Sequence, residues 1–141
     1  MDKLKYAIVC VDDDPTILQM ISFQLQKYVD EECTLIEFFT SPIKALESID
    51  DLIGEDIDII FIVVDYQMPE MNGAELIRNI KINHPEMKCI MLSGQANAIQ
   101  VDDLVNDNLL DSFIPKPWNE EDLIKAIIPF LEDRDLILKK P

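Results

Sequence analysis

At residues 59–73 the chain reads IIFIVVDYQMPEMNG. The run before Asp65 is apolar and rich in β-branched side chains, which is typical of a strand buried on both faces of a sheet. Asp65 ends this run, and a loop and a helix-like segment follow it. Because open α/β sheets build their sites at the carboxyl ends of parallel strands, we expect Asp65 to lie in a functional site.

A second group of carboxylates follows another apolar run, near the start of the chain. Residues 6–11 read YAIVCV and are followed by Asp12 and Asp13. Two strands that end in carboxylates predict a pocket for a hard divalent cation, because such ions take oxygen ligands. For Mg²⁺, Asp13 and Asp65 are the expected direct ligands, and Asp12 is expected to assist through water. Without Asp65, the acidic run would be better explained as a solvated helix cap.

Strand-like and helix-like segments alternate along the chain. This alternation, without repeats, predicts an α/β fold with a doubly wound, five-stranded parallel sheet of the flavodoxin-like order 2-1-3-4-5. In that order strands 1 and 3 are neighbours, so Asp12, Asp13 and Asp65 are expected to converge. The expected strands are residues 6–11, 33–39, 57–64, 88–92 and 112–114.

Several of the expected helices carry start signals. Asp14 and Ser41 each precede a proline, a combination typical of a helix cap and the first helical residue. Asn119 is the expected cap of the last helix, and Pro129 is expected to kink or end that helix. The expected helices begin at about residues 15, 42, 72, 96 and 120.

Length and composition limit the class of protein. The 141 residues are expected to form one domain, 1–141, with a core of about residues 5–131 and a C-terminal extension or linker start at 132–141. The net charge of −16 argues against direct nucleic-acid binding, which requires clustered basic residues. No signal peptide and no membrane-spanning apolar run is evident. Three cysteines without a CxxC pair fit a reducing compartment, so a cytoplasmic protein with no membrane partner is expected.

Two further polar side chains follow expected strands 4 and 5. Ser93 comes after CIML and Lys116 after FIP, so both are expected at the same edge of the sheet as Asp65. A hydroxyl and an ammonium near a metal-bound carboxylate suit a transferring phosphoryl group, whose oxygens need hydrogen bonds and positive charge. Each alone would be explained as a turn serine or a solvated lysine, but their successive positions favour a site.

Four segments resemble, in chain order, the motifs of a known family. They are VDDDP (11–15), DYQMPEMNG (65–73), LSG (92–94) and PKP (115–117). Over about residues 5–131 the chain resembles the receiver domain of two-component response regulators. The resemblance implies a phosphoacceptor domain rather than a conventional enzyme, although such a domain can catalyse its own phosphoryl transfer and dephosphorylation.

The resemblance also implies roles for the carboxylates. Asp65 would accept a phosphoryl group from a phosphohistidine of a sensor histidine kinase or a phosphotransfer protein. Asp12, Asp13 and Asp65, together with the backbone carbonyl of Gln67, would hold Mg²⁺.

The same resemblance implies a switch. Lys116 would pair with the acyl phosphate, and the Lys116–Pro117 bond would be cis. Ser93 would move to bond the phosphate and the Phe113 ring would turn inward, which would alter the face formed by helix 4, strand 5 and helix 5. That face could also form a homodimer. A plain core aromatic is an equally good interpretation of Phe113.

Two other functions compete with this interpretation. In a haloacid-dehalogenase-like phosphatase, Asp12 of the DDDPT segment (12–16) would be the nucleophile, with Ser93 and Lys116 in its second and third motifs. That alternative needs a paired-aspartate motif on a strand after Lys116, which the chain lacks, and it leaves residues 65–73 unexplained. A non-phosphorylated, receiver-like interaction module is disfavoured because every expected site position is filled.

Overall fold

The computed structural model describes the backbone of residues 4–94 and 98–136, and the side chains of these residues except 98–101. The strands begin and end within one residue of the expected positions. The expected start of the fourth helix near residue 96 lies outside the described residues. The elements are β1 Tyr6–Val11, α1 Pro15–Gln26, β2 Thr34–Phe39, α2 Pro42–Gly54, β3 Asp58–Asp65, α3 Gly73–Asn83, β4 Cys89–Ser93, α4 Ala98–Asn106, β5 Ser112–Pro115 and α5 Glu120–Glu132.

Polar side chains cap α1, α3 and α5, the helices that follow β1, β3 and β5. Asp14 accepts the backbone N–H of Thr16 at 2.9 Å at the start of α1, and Asn119 caps α5. At α3, Asn72 and Glu75 form a reciprocal capping box with distances of 2.8 and 3.0 Å. These contacts satisfy N–H groups that have no partner within a helix. They place each helix start close to the end of the preceding strand.

The five strands form one parallel sheet in the order β2-β1-β3-β4-β5, which confirms the predicted flavodoxin-like topology. Val11 of β1 lies opposite Val64 of β3, so the residues after these two strands are neighbours. Ser93 of β4 lies opposite Pro115 of β5. The strand order reverses between β1 and β3. Ligand sites of such sheets form at this topological switch point.

The sheet is buried on both faces. In β3 every residue after Asp58 is buried, as its unbroken apolar sequence predicts. One apolar cluster packs the strands against α2 and α3, and a second packs them against α1 and α5. Phe61 lies in the second cluster, with its ring centroid 6.1 Å from that of Phe130. This packing holds the strand ends in fixed relative positions.

Pro129 does not end the last helix, and that part of the prediction is wrong. α5 continues to Glu132, and the Asp133 N–H donates to the Pro129 carbonyl at 3.1 Å. A proline at this position removes a single hydrogen bond to the preceding turn. Pro129 itself is exposed, whereas Ile127 and Leu131 are buried in the core, so burial of the apolar face keeps the helix continuous.

Candidate functional site

Three carboxylates lie together at the carboxyl ends of β1 and β3. Asp12, Asp13 and Asp65 each offer one oxygen, and these oxygens all lie within 4.8 Å of one another. Asp12 and Asp65 are buried, whereas Asp13 is exposed. The parallel pairing of β1 with β3 brings them together, as the sequence analysis anticipates.

The Lys116 ammonium lies among these carboxylates. Its Nζ is 2.7 Å from Oδ1 of Asp65 and 3.1 Å from Oδ2 of Asp12. The backbone N–H of Lys116 donates to the Ser93 carbonyl at 2.9 Å, which ties the lysine to the end of β4. The Lys116–Pro117 peptide bond is cis, as the family resemblance implies.

Burial and ion pairing act in opposite directions on the charges of the site. Burial raises the pKa of both Asp12 and Asp65, and the Lys116 ammonium offsets only part of that effect. Burial alone would lower the pKa of Lys116, but its hydrogen bond to Asp65 and its attraction to both carboxylates outweigh burial and raise it. Near neutral pH the site therefore combines a firmly charged ammonium with carboxylates that are costly to ionise together.

The donor set fits a hard divalent cation. All three clustered groups offer carboxylate oxygens, the ligands that Mg²⁺ prefers. Asp12 already accepts the backbone N–H of Asp14 at 2.9 Å and the ammonium of Lys116, which suits an indirect role. Asp13 and Gln67 both line an open cavity of about 340 Å³ beside the cluster. A cation here would reduce the repulsion among the carboxylates.

The loop after Asp65 is held by its glycine. The Gly73 N–H donates to the Tyr66 carbonyl at 2.7 Å. A Cβ on Gly73 would collide with the Asp65 carbonyl oxygen and would lie 2.9 Å from the Tyr66 Cα. From the sequence, Gly73 is recognisable only as part of a motif, whereas the structure gives its physical reason, which is the close approach of α3 to the end of β3.

Ser93 and Phe113 occupy different environments. Ser93 is buried at the end of β4, and its hydroxyl donates to the Gly94 carbonyl at 3.0 Å. Phe113 of β5 is 38% exposed, so it is not a core aromatic in this structure. Phe113 lines a shallow groove with residues of α5, including Asp122 and Lys125. The structure therefore places Ser93 at the edge of the sheet where the carboxylates lie and Phe113 on the surface next to α5.

Comparisons with known proteins agree with this fold. Residues 8–128 match the model of the response regulator receiver domain family. The chain is similar to the solved structure of a CheY-like response regulator receiver domain protein from Methanospirillum hungatei, with a TM-score of 0.74 and 28% identity over 94% of this chain and 98% of that one. The chain belongs to the response regulator receiver domain family of two-component systems.

Two of its curated relatives are much longer kinases. Sensor kinase CckA of Brucella abortus is 37% identical over 95 residues, which cover 67% of this chain and 10% of that protein. Hybrid signal transduction histidine kinase L of Dictyostelium discoideum is 31% identical over 130 residues, 89% of this chain and 7% of that protein. The chain thus spans a small part of each of these two relatives. In the described part of the chain, none of the helices has the length and apolarity needed to cross a membrane.

Proposed function

We propose that this receiver accepts a phosphoryl group on Asp65 from a phosphohistidine, in a Mg²⁺-dependent transfer. The donor would be a sensor histidine kinase or a phosphotransfer protein. The similarity to a sensor kinase and to a hybrid signal transduction histidine kinase supports a donor of this class. The observation that carries the proposal is the position of Asp65, whose carboxylate lies 2.7 Å from Lys116 and within the carboxylate cluster at the end of β3.

The site supplies what phosphoryl transfer requires. One Asp65 carboxylate oxygen would form the new O–P bond as the P–N bond to the donor imidazole breaks. The imidazole would keep the electron pair of that bond and take up a proton from water. Lys116 would stabilise the negative charge on the transferring oxygens, since a preorganised cation does this without reorganisation. A bound Mg²⁺, held by Asp12, Asp13, Asp65 and the Gln67 carbonyl, would supply further charge neutralisation.

We also propose a switch formed by Ser93 at the end of β4 and Phe113 of β5. The Ser93 hydroxyl, which now donates to the Gly94 carbonyl, would turn to the phosphate oxygens once these are present. The exposed Phe113 ring would then turn inward and change the surface formed by α4, β5 and α5. That surface would bind the output partner or a second copy of the chain. The whole switch would operate within one domain, 1–141, whose core is about residues 5–131.

The phosphatase alternative has less support. Its nucleophile, Asp12, is 1% exposed against 6% for Asp65, and both of the Asp12 carboxylate oxygens already accept hydrogen bonds, one from Asp14 and one from Lys116. A nucleophile must reach its substrate in a productive geometry. The non-phosphorylated module is also less well supported, because Asp65, Ser93 and Lys116 are all present at the edge of the sheet. Cytoplasmic location stays a prediction from the sequence.

A panel of aspartate variants tests the proposal. The parent, Asp65→Asn, Asp12→Asn and Asp14→Asn would each be incubated with acetyl phosphate and Mg²⁺ and weighed by intact mass spectrometry. Asp14→Asn is the matched control, because asparagine also caps helices and the change in charge is the same. We expect one alkali-labile phosphoryl group on the parent and the control, and none on Asp65→Asn. Labelling of Asp65→Asn together with loss in Asp12→Asn would support the phosphatase instead.

A further inference from the structure

A buried glutamine on α1 contacts the turn that carries Lys116. Gln24 is 8% exposed and lies on the inward face of α1 with Leu18, Ile21 and Leu25. Its Oε1 accepts the indole N–H of Trp118 at 2.9 Å. Trp118 follows Lys116 by two residues and packs against the apolar cluster between the sheet, α1 and α5.

The side-chain amide of Gln24 is unusual on the apolar, inward face of α1. Burying an amide without a partner costs about 1–3 kcal/mol, and a leucine or methionine would fill the same space without that cost. In this structure the hydrogen bond to Trp118 satisfies the Gln24 oxygen, and the indole N–H of the half-buried Trp118 gains an acceptor. The pair therefore orients the Trp118 ring in addition to burying it.

The orientation of Trp118 matters because Lys116 must reach two carboxylates at once. The turn is held on one side by the Lys116 N–H, which donates to the Ser93 carbonyl at 2.9 Å. On the other side it is held by the bond from Trp118 to Gln24. Between these two attachments the Lys116 side chain extends to Asp65 and Asp12.

We propose that Gln24 is a positioning residue for phosphoryl transfer, which acts through Trp118 to hold the Lys116 ammonium at the site. This inference rests on the proposed function of Asp65. A second link between the end of α1 and the segment before and at the start of α5, the Lys27–Glu120 ion pair at 2.8 Å, is more exposed to solvent and is expected to contribute less. The partly buried Gln24–Trp118 contact is thus the one that sets the geometry of the turn.

Four variants test the contact itself. Gln24→Met removes the acceptor and keeps the length of the side chain, and Trp118→Phe removes the donor and keeps an aromatic ring. The double variant removes both. Gln26→Met is the matched control, because it makes the same substitution at an exposed position of the same helix. The initial rate of acetyl phosphate labelling at saturating Mg²⁺ and the Mg²⁺ concentration at half-saturation would be measured for each.

We expect Gln24→Met to lower the labelling rate about tenfold, because a misplacement of about 1 Å in a catalytic group costs up to a hundredfold. Trp118→Phe should give a similar loss, and the double variant should be no worse than the single ones, since both remove the same bond. The Mg²⁺ half-saturation point should not rise. Gln26→Met should match the parent. A parent-like rate in Gln24→Met, or a loss accompanied by a higher Mg²⁺ requirement, would overturn the inference and leave Asp65 as acceptor untouched.

A second measurement does not depend on labelling. In metal-free buffer, the shifts in urea midpoint caused by Gln24→Met and Lys116→Met would be compared with the shift of the double variant. If Gln24 holds Lys116 in place, the two effects are not additive, because the second substitution removes what the first has already loosened. Additive shifts would overturn the positioning role. A parent that cannot be labelled would instead overturn the proposed function, and the urea midpoints would still decide the role of Gln24.

Discussion

At the scale of single residues, the site is a balance between buried carboxylates and one ammonium. The sequence predicts that Asp12, Asp13 and Asp65 converge, since each follows a strand whose neighbours the sheet order sets. It does not predict that Lys116 lies within hydrogen-bond distance of both Asp12 and Asp65, because that depends on the turn geometry of residues far apart in the chain. The charges of this cluster lead to a prediction about pH.

Asp65→Asn should stabilise the metal-free protein more at pH 7 than at pH 4. Burial raises the pKa of Asp65 in the folded protein above its value of about 3.9 in the unfolded chain. The folded state therefore holds this proton to higher pH, and the free energy of unfolding falls as pH rises through the folded pKa. Asparagine never ionises and avoids that loss. Urea denaturation of both proteins in EDTA at the two pH values measures the effect, and an equal difference at both would contradict it.

Gly73→Ala should destabilise the protein, although alanine normally favours helix formation more than glycine does. The new Cβ would meet backbone atoms of Asp65 and Tyr66, which cannot rotate away. We expect a loss of about 2 kcal/mol in the free energy of unfolding. Gly54→Ala is the control, because no atom lies within 4 Å of its added Cβ and the substitution should stabilise by about 0.4–1 kcal/mol. Equal effects at the two glycines would contradict the close approach at Gly73.

At the scale of elements, sequence rules work where local chemistry decides. The caps at Asp14, Asn72 and Asn119 can be predicted from the sequence because each satisfies N–H groups of its own helix. Pro129 does not end α5, because the free-energy cost of a proline inside a helix is outweighed by the burial of neighbouring α5 residues. Only the tertiary structure reveals that burial. Gln24 is missed for a similar reason, since its partner lies on a different element. A polar residue on an otherwise apolar helix face was the available signal.

Pro129→Ala should raise the free energy of unfolding by about 1–2 kcal/mol. Alanine restores a backbone N–H in α5, and the exposed position means that little packing is lost. Pro85→Ala, at an exposed proline between α3 and β4, is the control. This substitution restores no helical hydrogen bond. It should slightly lower the free energy of unfolding, because it raises the conformational entropy of the unfolded chain. Urea midpoints measure both, and a lower midpoint for Pro129→Ala would show that this proline supports the helix.

At the scale of the whole molecule, the sequence predicts the order of the strands well, but it predicts the contacts between distant segments less well. The strand order follows from the alternation of buried strands and helices, which leaves few other arrangements. The exposed position of Phe113 and the link from α1 to the Lys116 turn depend on packing between distant segments. The net charge of −16 acts on the molecule as a whole and affects how the protein responds to cations.

Mg²⁺ should stabilise the folded protein beyond the effect of salt. A ligand that binds only the folded state contributes about 2.7 kcal/mol at a hundred times its Kd. Asp13→Ala should remove most of this gain, and Asp14→Asn should keep it. NaCl at the same ionic strength is the control for screening of the net charge. A melting temperature that rises no more in MgCl₂ than in NaCl would contradict the cation site.

Chemical mapping identifies the residue that receives the phosphoryl group, which we propose to be Asp65. The protein would be labelled with acetyl phosphate and Mg²⁺ and then treated with borohydride, which reduces an aspartyl phosphate to homoserine. Peptide mass spectrometry then identifies the converted residue. We expect homoserine at position 65 and at no other aspartate. Conversion at Asp12, or an unmodified Asp65 in a fully labelled protein, would contradict it.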